Sequence, residues 1–389
     1  MAHMIMTVLA VAAAVLALCG CGYYALCIWS AHAFLRHWAK RKLDDFTPAV
    51  TFLKPLRGAD RDMYEAFRSH CLLDYPEFEI IFGVSVADDP AIALVERLKQ
   101  EFPERRIELV FCGERLGTNM KVSTLAQMLP HARYDHLVIN DSDIRVEPNY
   151  LRRVIAPLSC PRTGMVTTLY RGAAGRTIGS RLEALGISTD FAAGVLCARV
   201  VEGGVHFGLG STLAVKRKAL DMIGGFEPLL DYLADDYELG NRISQTLRVA
   251  LSNEVVDTIL PDYRFRDYWD HQLRWMRSVR ASRGWGYLGL LLTFGFPFAL
   301  AATLLSLGAK WSLALLAFAL IIRFVMGYMS AKRVMHDQRI LRQFWLIPLR
   351  DIIALFIWIA GYGSSTVIWR GDKFVLSKGK MVSLDKARL

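Results

Sequence analysis

The chain has 389 residues, a formal net charge of +10 and a mean hydropathy of +0.27, and 53% of its residues are hydrophobic. So apolar a composition excludes an ordinary soluble domain, and the excess lies at the two ends. The basic surplus flanks the apolar segments instead of interleaving with aromatics, which excludes a nucleic-acid platform and gives the positive-inside pattern of a membrane protein.

Residues 5–29 carry no charged side chain and exceed the ~20 residues that cross a bilayer, so they read as a transmembrane helix. A cleaved signal peptide is the competing reading, but Met1 to Thr7 holds no Lys or Arg. Residues 30–48 read as a basic linker with Arg36, Lys40, Arg41 and Lys42. The cysteines, Cys19, Cys21, Cys27, Cys71, Cys112, Cys160 and Cys197, are odd in number and match no zinc spacing, which fits a reduced cytosolic catalytic region.

Residues 49–266 form the next region, where strands alternate with helices and predict a mainly parallel, covered α/β sheet. The strand Ala49 to Leu53 ends in a turn at Lys54-Pro55-Leu56-Arg57-Gly58, because Pro lacks a ladder donor. A helix over Asp60 to Leu72, a strand over Phe78 to Val86, a helix over Ala91 to Phe102 and a strand over Ile107 to Phe111 follow. A helix over Met120 to Met128 then leads to the apolar run Leu137-Val138-Ile139, which delivers Asp141 and Asp143 to a strand end. Polar residues recur where strands finish: Lys54 and Arg57, Asp88 and Asp89, Asn119 and Lys121, then Asp141 and Asp143. In an open α/β sheet that edge binds ligands, and an Asp-x-Asp there suits a divalent cation held against a phosphorylated substrate. The bland reading is a polar turn.

Met165 to Tyr170 and Ser211 to Val215 read as strands and Ser180 to Gly186 as part of a helix, with a basic turn at Lys216-Arg217-Lys218. The stretch Gly203 to Gly210, which includes His206, reads equally as a close backbone approach to a ligand or as a flexible connection. Asp235 reads as an N-cap with Glu238 completing a capping box, which leaves Asp236 at the helix mouth as a candidate base. Residues 267–283 read as an interfacial helix with His271, Arg274, Trp275 and Ser278 on one face and Arg277, Arg280 and Arg283 near lipid headgroups. Arg274 has the planar fork to meet a diphosphate. Residues 287–307 and 311–329 read as transmembrane helices, and 344–369 as a transmembrane or re-entrant segment interrupted by Pro348, Arg350 and Asp351. If all three cross, the basic tail 370–389, with Arg370, Lys373, Lys378, Lys380, Lys386 and Arg388, ends outside, against the positive-inside rule; a re-entrant last segment restores agreement.

Together, Lys54-Pro55-Leu56-Arg57-Gly58, Asp74-Tyr75-Pro76, Asp88-Asp89-Pro90-Ala91-Ile92, Gly117-Thr118-Asn119-Met120-Lys121, Asp141-Ser142-Asp143-Ile144-Arg145-Val146, Asp235-Asp236-Tyr237 and Arg274-Trp275 resemble glycosyltransferase family 21, the ceramide glucosyltransferase family within the GT-A nucleotide-diphospho-sugar transferases. The resemblance implies a GT-A domain flanked by transmembrane helices, in a bacterial inner membrane with the catalytic domain facing the cytoplasm. It implies a UDP-sugar donor, a membrane lipid acceptor, and Mg or Mn held by Asp141 and Asp143. It also implies Asp89 near the uracil, Lys54, Lys121, Arg274 and Trp275 on the donor side, and Asp236 as the base that deprotonates the acceptor hydroxyl. His271 departs from the family's usual first signature position, and the choice between donor and acceptor for His271 and His206 stays open.

Animal ceramide enzymes carry Asp-Ser-Gly where this chain has Asp141-Ser142-Asp143. With His271 and Gly210-Ser211-Thr212, that makes the chain similar to the bacterial branch that moves N-acetylglucosamine from UDP-N-acetylglucosamine to a hopanoid polyol, bacteriohopanetetrol. A ceramide glucosyltransferase using UDP-glucose, a processive polysaccharide synthase and a non-catalytic membrane-anchored nucleotide-sugar binder are the alternatives.

Overall fold

The computed structural model describes residues 1–40, 45–60, 62–369 and 372–383, and these form two compact units. Met1–Lys40, Arg176–Val200 and Asp262–Asp372 make a helical unit; Arg41–Gly175, Val201–Pro261 and Lys373–Leu389 make a sheet unit. Of the basic residues expected to flank the spans, Arg41, Lys42, Arg370, Lys386 and Arg388 lie outside the described residues.

The strands of the sheet unit are Val50–Leu56 (β1), Phe78–Val84 (β2), Arg106–Phe111 (β3), His136–Ile139 (β4), Ile144–Arg145 (β5), Thr163–Ala173 (β6), Leu213–Lys216 (β7) and Arg248–Ile259 (β8). They form one sheet in the order β3-β2-β1-β4-β7-β6-β8-β5. β1 to β4 run parallel, while β7 is antiparallel to both β4 and β6. Phe52, Leu53, Ile80, Ile81, Phe82 and Leu137 to Ile139 are fully buried, as unbroken apolar runs in a sheet covered on both faces should be.

β1 does not stop before Pro55 as expected. It pairs with β2 as far as Leu56↔Val84, but its β4 partner ends at Leu53↔Ile139, so Pro55 lies where that side carries no ladder and a missing N–H is tolerated. The basic turn after β7 is also revised, because Arg217–Met222 is helical.

The tail contributes an antiparallel hairpin, Asp372–Ser377 against Lys380–Ser383. Met381 N–H donates to Asp231 O at 2.7 Å and Leu233 N–H to Gly379 O at 3.2 Å, so the hairpin is stitched to the loop before the Asp235–Ser244 helix.

In the helical unit the first helix runs unbroken from Ala2 to Ala39, so the linker expected from residue 30 is mostly helix. Gly20 allows its close approach to Gly295, whose Cα would lie 2.2 Å from a Cβ placed at Gly20. Among the described residues, His3–Ala39, Ile178–Val201, Lys310–Val334 and Arg339–Ala360 are long and apolar enough to cross a membrane. The span expected over 287–307 is instead two helical pieces, Gly284–Thr293 and Gly295–Leu305, bent by 55°. The segment 344–369 is helical only to Ala360 and ends in the strand Thr366–Trp369. The apolar helix Ile178–Val201 lies inside the region expected to be one GT-A domain, and Arg176–Val200 groups with the helical unit.

Candidate functional site

At the carboxyl end of β4 the chain turns through Asp141 and Asp143 into β5. Pairing of β5 with β8 at Ile144↔Thr258 fixes that turn: Ile259 N–H donates to Asp143 O at 3.0 Å and Thr258 Oγ1 donates to Asp143 Oδ2 at 2.7 Å. Burial, then the neighbouring Asp141 charge, raises the Asp143 carboxyl to about 6, with the Thr258 bond opposing.

Lys54 lies beneath the turn, fully buried, with Nζ 3.4 Å from His70 Nε2 and 3.3 Å from Asp141 O. His70 Nδ1 faces Ala66 O at 2.9 Å, and a carbonyl only accepts, so Nδ1 carries the proton and Nε2 presents its lone pair to Lys54. Burial lowers the Lys54 ammonium to about 7, against the pull of Asp143 and Asp141. Burial and Lys54 hold His70 well below its usual range. Lys54 therefore props the acidic turn from behind.

Asp89 is likewise held by backbone donors. It is 4% exposed, and its oxygens accept from Gly58 N–H at 2.9 and 3.1 Å and from Ala91 N–H at 2.9 Å, tying the loop after β1 to the Ala91–Glu101 helix.

Lys121 opens the Met120–Met128 helix and places Nζ 2.6 Å from Asp141 Oδ1 and 3.5 Å from Asp235 Oδ2. Burial alone would lower its pKa, but Asp141, Asp235 and Asp236 together outweigh it and raise the ammonium above its ordinary value. Asn119 caps that helix, its Oδ1 accepting from Lys121 N–H at 3.0 Å and Val122 N–H at 3.2 Å, while Nδ2 donates to Tyr232 O at 2.7 Å and Asp235 Oδ1 at 3.3 Å. Asp235 is thus not the N-cap of its own helix: Ala234 holds that position, and Glu238 pairs with Arg242 at 2.8 Å. The carboxylate is drawn instead to Lys121 and Asn119 across the cleft.

Asp236 accepts from Gly210 N–H at 2.7 Å through Oδ2 and from Tyr237 N–H at 2.8 Å through Oδ1. Burial, followed by the Asp235 charge, raises it to about 6. The glycine stretch packs on this helix. A Cβ at Gly208 would lie 2.5 Å from Asp236 O, and one at Gly240 would lie 2.2 Å from Gly208 N. A Cβ at Gly210 would lie 3.1 Å from Asp141 Oδ2 and 3.2 Å from Asp236 Oδ2, so the two carboxylates converge on one glycine. The close backbone approach seen in that stretch is made to the candidate base. His206 stands apart, with Nε2 3.2 Å from Glu202 O.

The donor set itself tests whether a metal fits. Among the described residues no group of three His, Cys, Asp or Glu side chains is arranged as a protein-only metal cage. Asp141 and Asp143 do suit Mg or Mn, which take one or two carboxylates and complete their shell with substrate phosphates and water.

In the helical unit, Arg274 and Trp275 lie on the Phe265–Ser282 helix. Trp275 meets Phe191 with ring centroids 5.9 Å apart and His271 at 5.6 Å, and Tyr263 covers His271 at 5.3 Å. Burial, then Arg274, lowers His271 to about 3, so its imidazole is neutral. Arg277 and Arg280 donate to Thr366 O at 2.7 Å and Ser364 O at 2.8 Å, holding the chain that follows the last long helix.

The fold matches that of the mannosyltransferase PcManGT of Pyrobaculum calidifontis, solved with GDP-Man and Mn2+, with a TM-score of 0.57 and 19% identity over 92% of this chain and 99% of that one. With the carboxylate-lined end of a mostly parallel sheet, this gives a GT-A-type fold. More narrowly, the chain belongs to glycosyltransferase family 21, which its residues 12–382 match. Ceramide glucosyltransferase 1 of Caenorhabditis elegans is 25% identical over 88% of this chain and 75% of its own length. Beta-monoglucosyldiacylglycerol synthase of a Synechocystis strain is 24% identical over 50% of this chain and 40% of its own.

Proposed function

We propose that the protein is a membrane-bound inverting glycosyltransferase that moves one sugar from a UDP-sugar to a lipid hydroxyl. The observation that carries this reading is the convergence of Asp236 and Asp141 on Gly210, which sets a candidate base beside a candidate phosphate-side carboxylate. Asp236, held by two backbone N–H groups, takes the acceptor proton at Oδ1 or Oδ2 as the hydroxyl oxygen attacks the anomeric carbon and the UDP oxygen leaves. One displacement from an α-linked donor gives a β-glycoside. Asp141 and Asp143 would hold Mg or Mn, whose chemistry there is to neutralise charge on a departing diphosphate. Lys121 keeps Asp141 in place, Lys54 and Asp89 position the loops around it, and Arg274 and Trp275 serve the donor side.

For the acceptor, Asp143, His271 and the Gly210-Ser211-Thr212 sequence favour a hopanoid polyol with UDP-N-acetylglucosamine as donor. Ceramide with UDP-glucose fits equally, supported by the relatives named for that lipid. The tail hairpin belongs to the sheet unit, which favours a basic tail on the catalytic, cytoplasmic side of a bacterial inner membrane. The test is incubation of the purified protein with each UDP-sugar and each lipid, read by mass spectrometry. A lipid heavier by one sugar supports the reading; a polymer ladder points to a processive synthase, and no transfer to any lipid rejects it.

A further inference from the structure

Asp236 stands at the end of a segment whose hold on the rest of the sheet unit the transfer chemistry does not explain. Leu230 to Ala234 leads into the Asp235–Ser244 helix, and Gly117 to Asn119 leads into the Met120–Met128 helix that carries Lys121. The two segments touch. A Cβ at Gly117 would lie 2.6 Å from Leu230 Cβ, and Asn119 N–H donates to Leu230 O at 2.7 Å. Both belong to the sheet unit, as does the tail strand Lys380–Ser383.

Asp231, half-buried, joins all three. Its Oδ1 accepts from Thr118 N–H at 3.1 Å and from Thr118 Oγ1 at 2.9 Å, while its main-chain O accepts from Met381 N–H at 2.7 Å. Thr118 Oγ1 is also 3.2 Å from Met381 O, so loop and tail offer two acceptors to its one proton. The next residue is fixed as well: Tyr232 O accepts from Asn119 Nδ2 at 2.7 Å, and the Tyr232 ring centre lies 5.3 Å from Lys380 Nζ and 5.7 Å from the Arg242 guanidinium carbon. Three segments remote in sequence thus close on one carboxylate. Hydrogen bonds to an ionised acceptor are the stronger kind, which suits a residue that must order a loop with few contacts.

We propose that Asp231 is a positioning residue: by clasping Thr118 on one side and the tail strand on the other, it fixes the loop that delivers Asp236 against the helix that delivers Lys121. This rests on the reading of Asp236 as the base and adds a residue that acts through Asp236 and Lys121. The link to the site is direct on both sides. Lys121 Nζ meets Asp141 Oδ1 at 2.6 Å and Asp235 Oδ2 at 3.5 Å, and Asp236 and Asp141 converge on Gly210. A slack Asp231 loop lets Asp236 drift from that point, and a displacement of about 1 Å costs on the order of a hundredfold in rate.

The test uses the full-length protein and reads turnover per filled site, which is UDP release with lipid acceptor divided by the number of sites that bind the UDP-sugar in an isotherm. A merely structural role would lower the number of binding sites and leave turnover at each unchanged. Asp231→Ala should lower turnover per filled site by about ten- to hundredfold. Asp231→Asn keeps the oxygen that both Thr118 donors meet and should stay within about threefold of wild type. Thr118→Val, which keeps the N–H bond and loses only the hydroxyl, should fall by about three- to tenfold, and it carries the test if Asp231→Ala does not fold. Unchanged turnover per filled site in Asp231→Ala or Thr118→Val, or an Asn variant no better than the Ala variant, overturns the proposal. Turnover near wild type in Asp236→Asn overturns the base reading itself, whereas an unaffected Asp231→Ala beside an inactive Asp236→Asn overturns only the role of Asp231.

Discussion

Replacing Asp236 by Asn separates chemistry from architecture in a single atom. Its carboxylate accepts from Gly210 N–H at 2.7 Å and Tyr237 N–H at 2.8 Å, and an amide offers only one oxygen to those two donors. The nitrogen must face one N–H, which costs about 1–3 kcal/mol. Against this, the native carboxyl is raised to about 6 by burial and Asp235, so removing its charge recovers energy of the same order. The two nearly cancel, and Tm should move by no more than about 4 °C. Losing a general base lowers kcat by about 10²–10⁴-fold, equivalent to roughly 3–5 kcal/mol of transition-state stabilisation. The assay is UDP release with lipid acceptor, run beside a UDP-sugar binding isotherm and a thermal melt. Turnover within about threefold of wild type in a well-folded Asp236→Asn protein would refute the base assignment.

With Asp236 at about 6, kcat/KM should rise with pH to a plateau above that value and fall about tenfold per pH unit below it. The stability linkage has the opposite sign: protonation is favoured in the folded state, so the contribution of Asp236 is fully present below the ordinary aspartate value of 3.8 and is lost as pH rises through about 6. Asp235→Asn removes a charge that raises Asp236 and should move the inflection of the pH–rate profile to lower pH. Asp143→Ala should weaken activation by Mn or Mg at least tenfold in a metal titration while leaving the melting curve near wild type; unchanged metal dependence would reject Asp143 as a ligand. Gly240→Ala puts a Cβ 2.2 Å from both Gly208 N and Phe207 C, backbone on backbone, and should destabilise by about 1–3 kcal/mol in chemical denaturation with loss of activity. Asp351→Asn leaves Arg323 without its bidentate partner and should cost about 3–5 kcal/mol in thermal or denaturant unfolding.

Most of the sheet was legible because β1, β2 and β4 each carry a short buried apolar run followed by polar residues, and each brought a charged residue to the same edge. What those residues do there was less legible, since it depends on partners far along the chain. Asp89 is consumed by Gly58, Lys54 by His70, and Asp235 by Lys121, and no local pattern announces such pairings. Asn119 was visible only as a polar residue past β3, although the Asn followed by a helix was a usable cap signal. The Ile178–Val201 helix escaped recognition because Arg181, Glu183, Asp190 and Arg199 interrupt its apolar pattern. Glu183 and Asp190 are matched by Gln272 and Arg350, from segments that sequence distance hides.

The central claim, a single displacement assisted by Asp236, is tested most directly by the anomeric configuration of the product. NMR of the purified glycolipid made from an α-linked UDP-sugar should show a β-linked anomeric proton. An α-linked product would mean retention, which one base and one displacement cannot give, and would contradict the account.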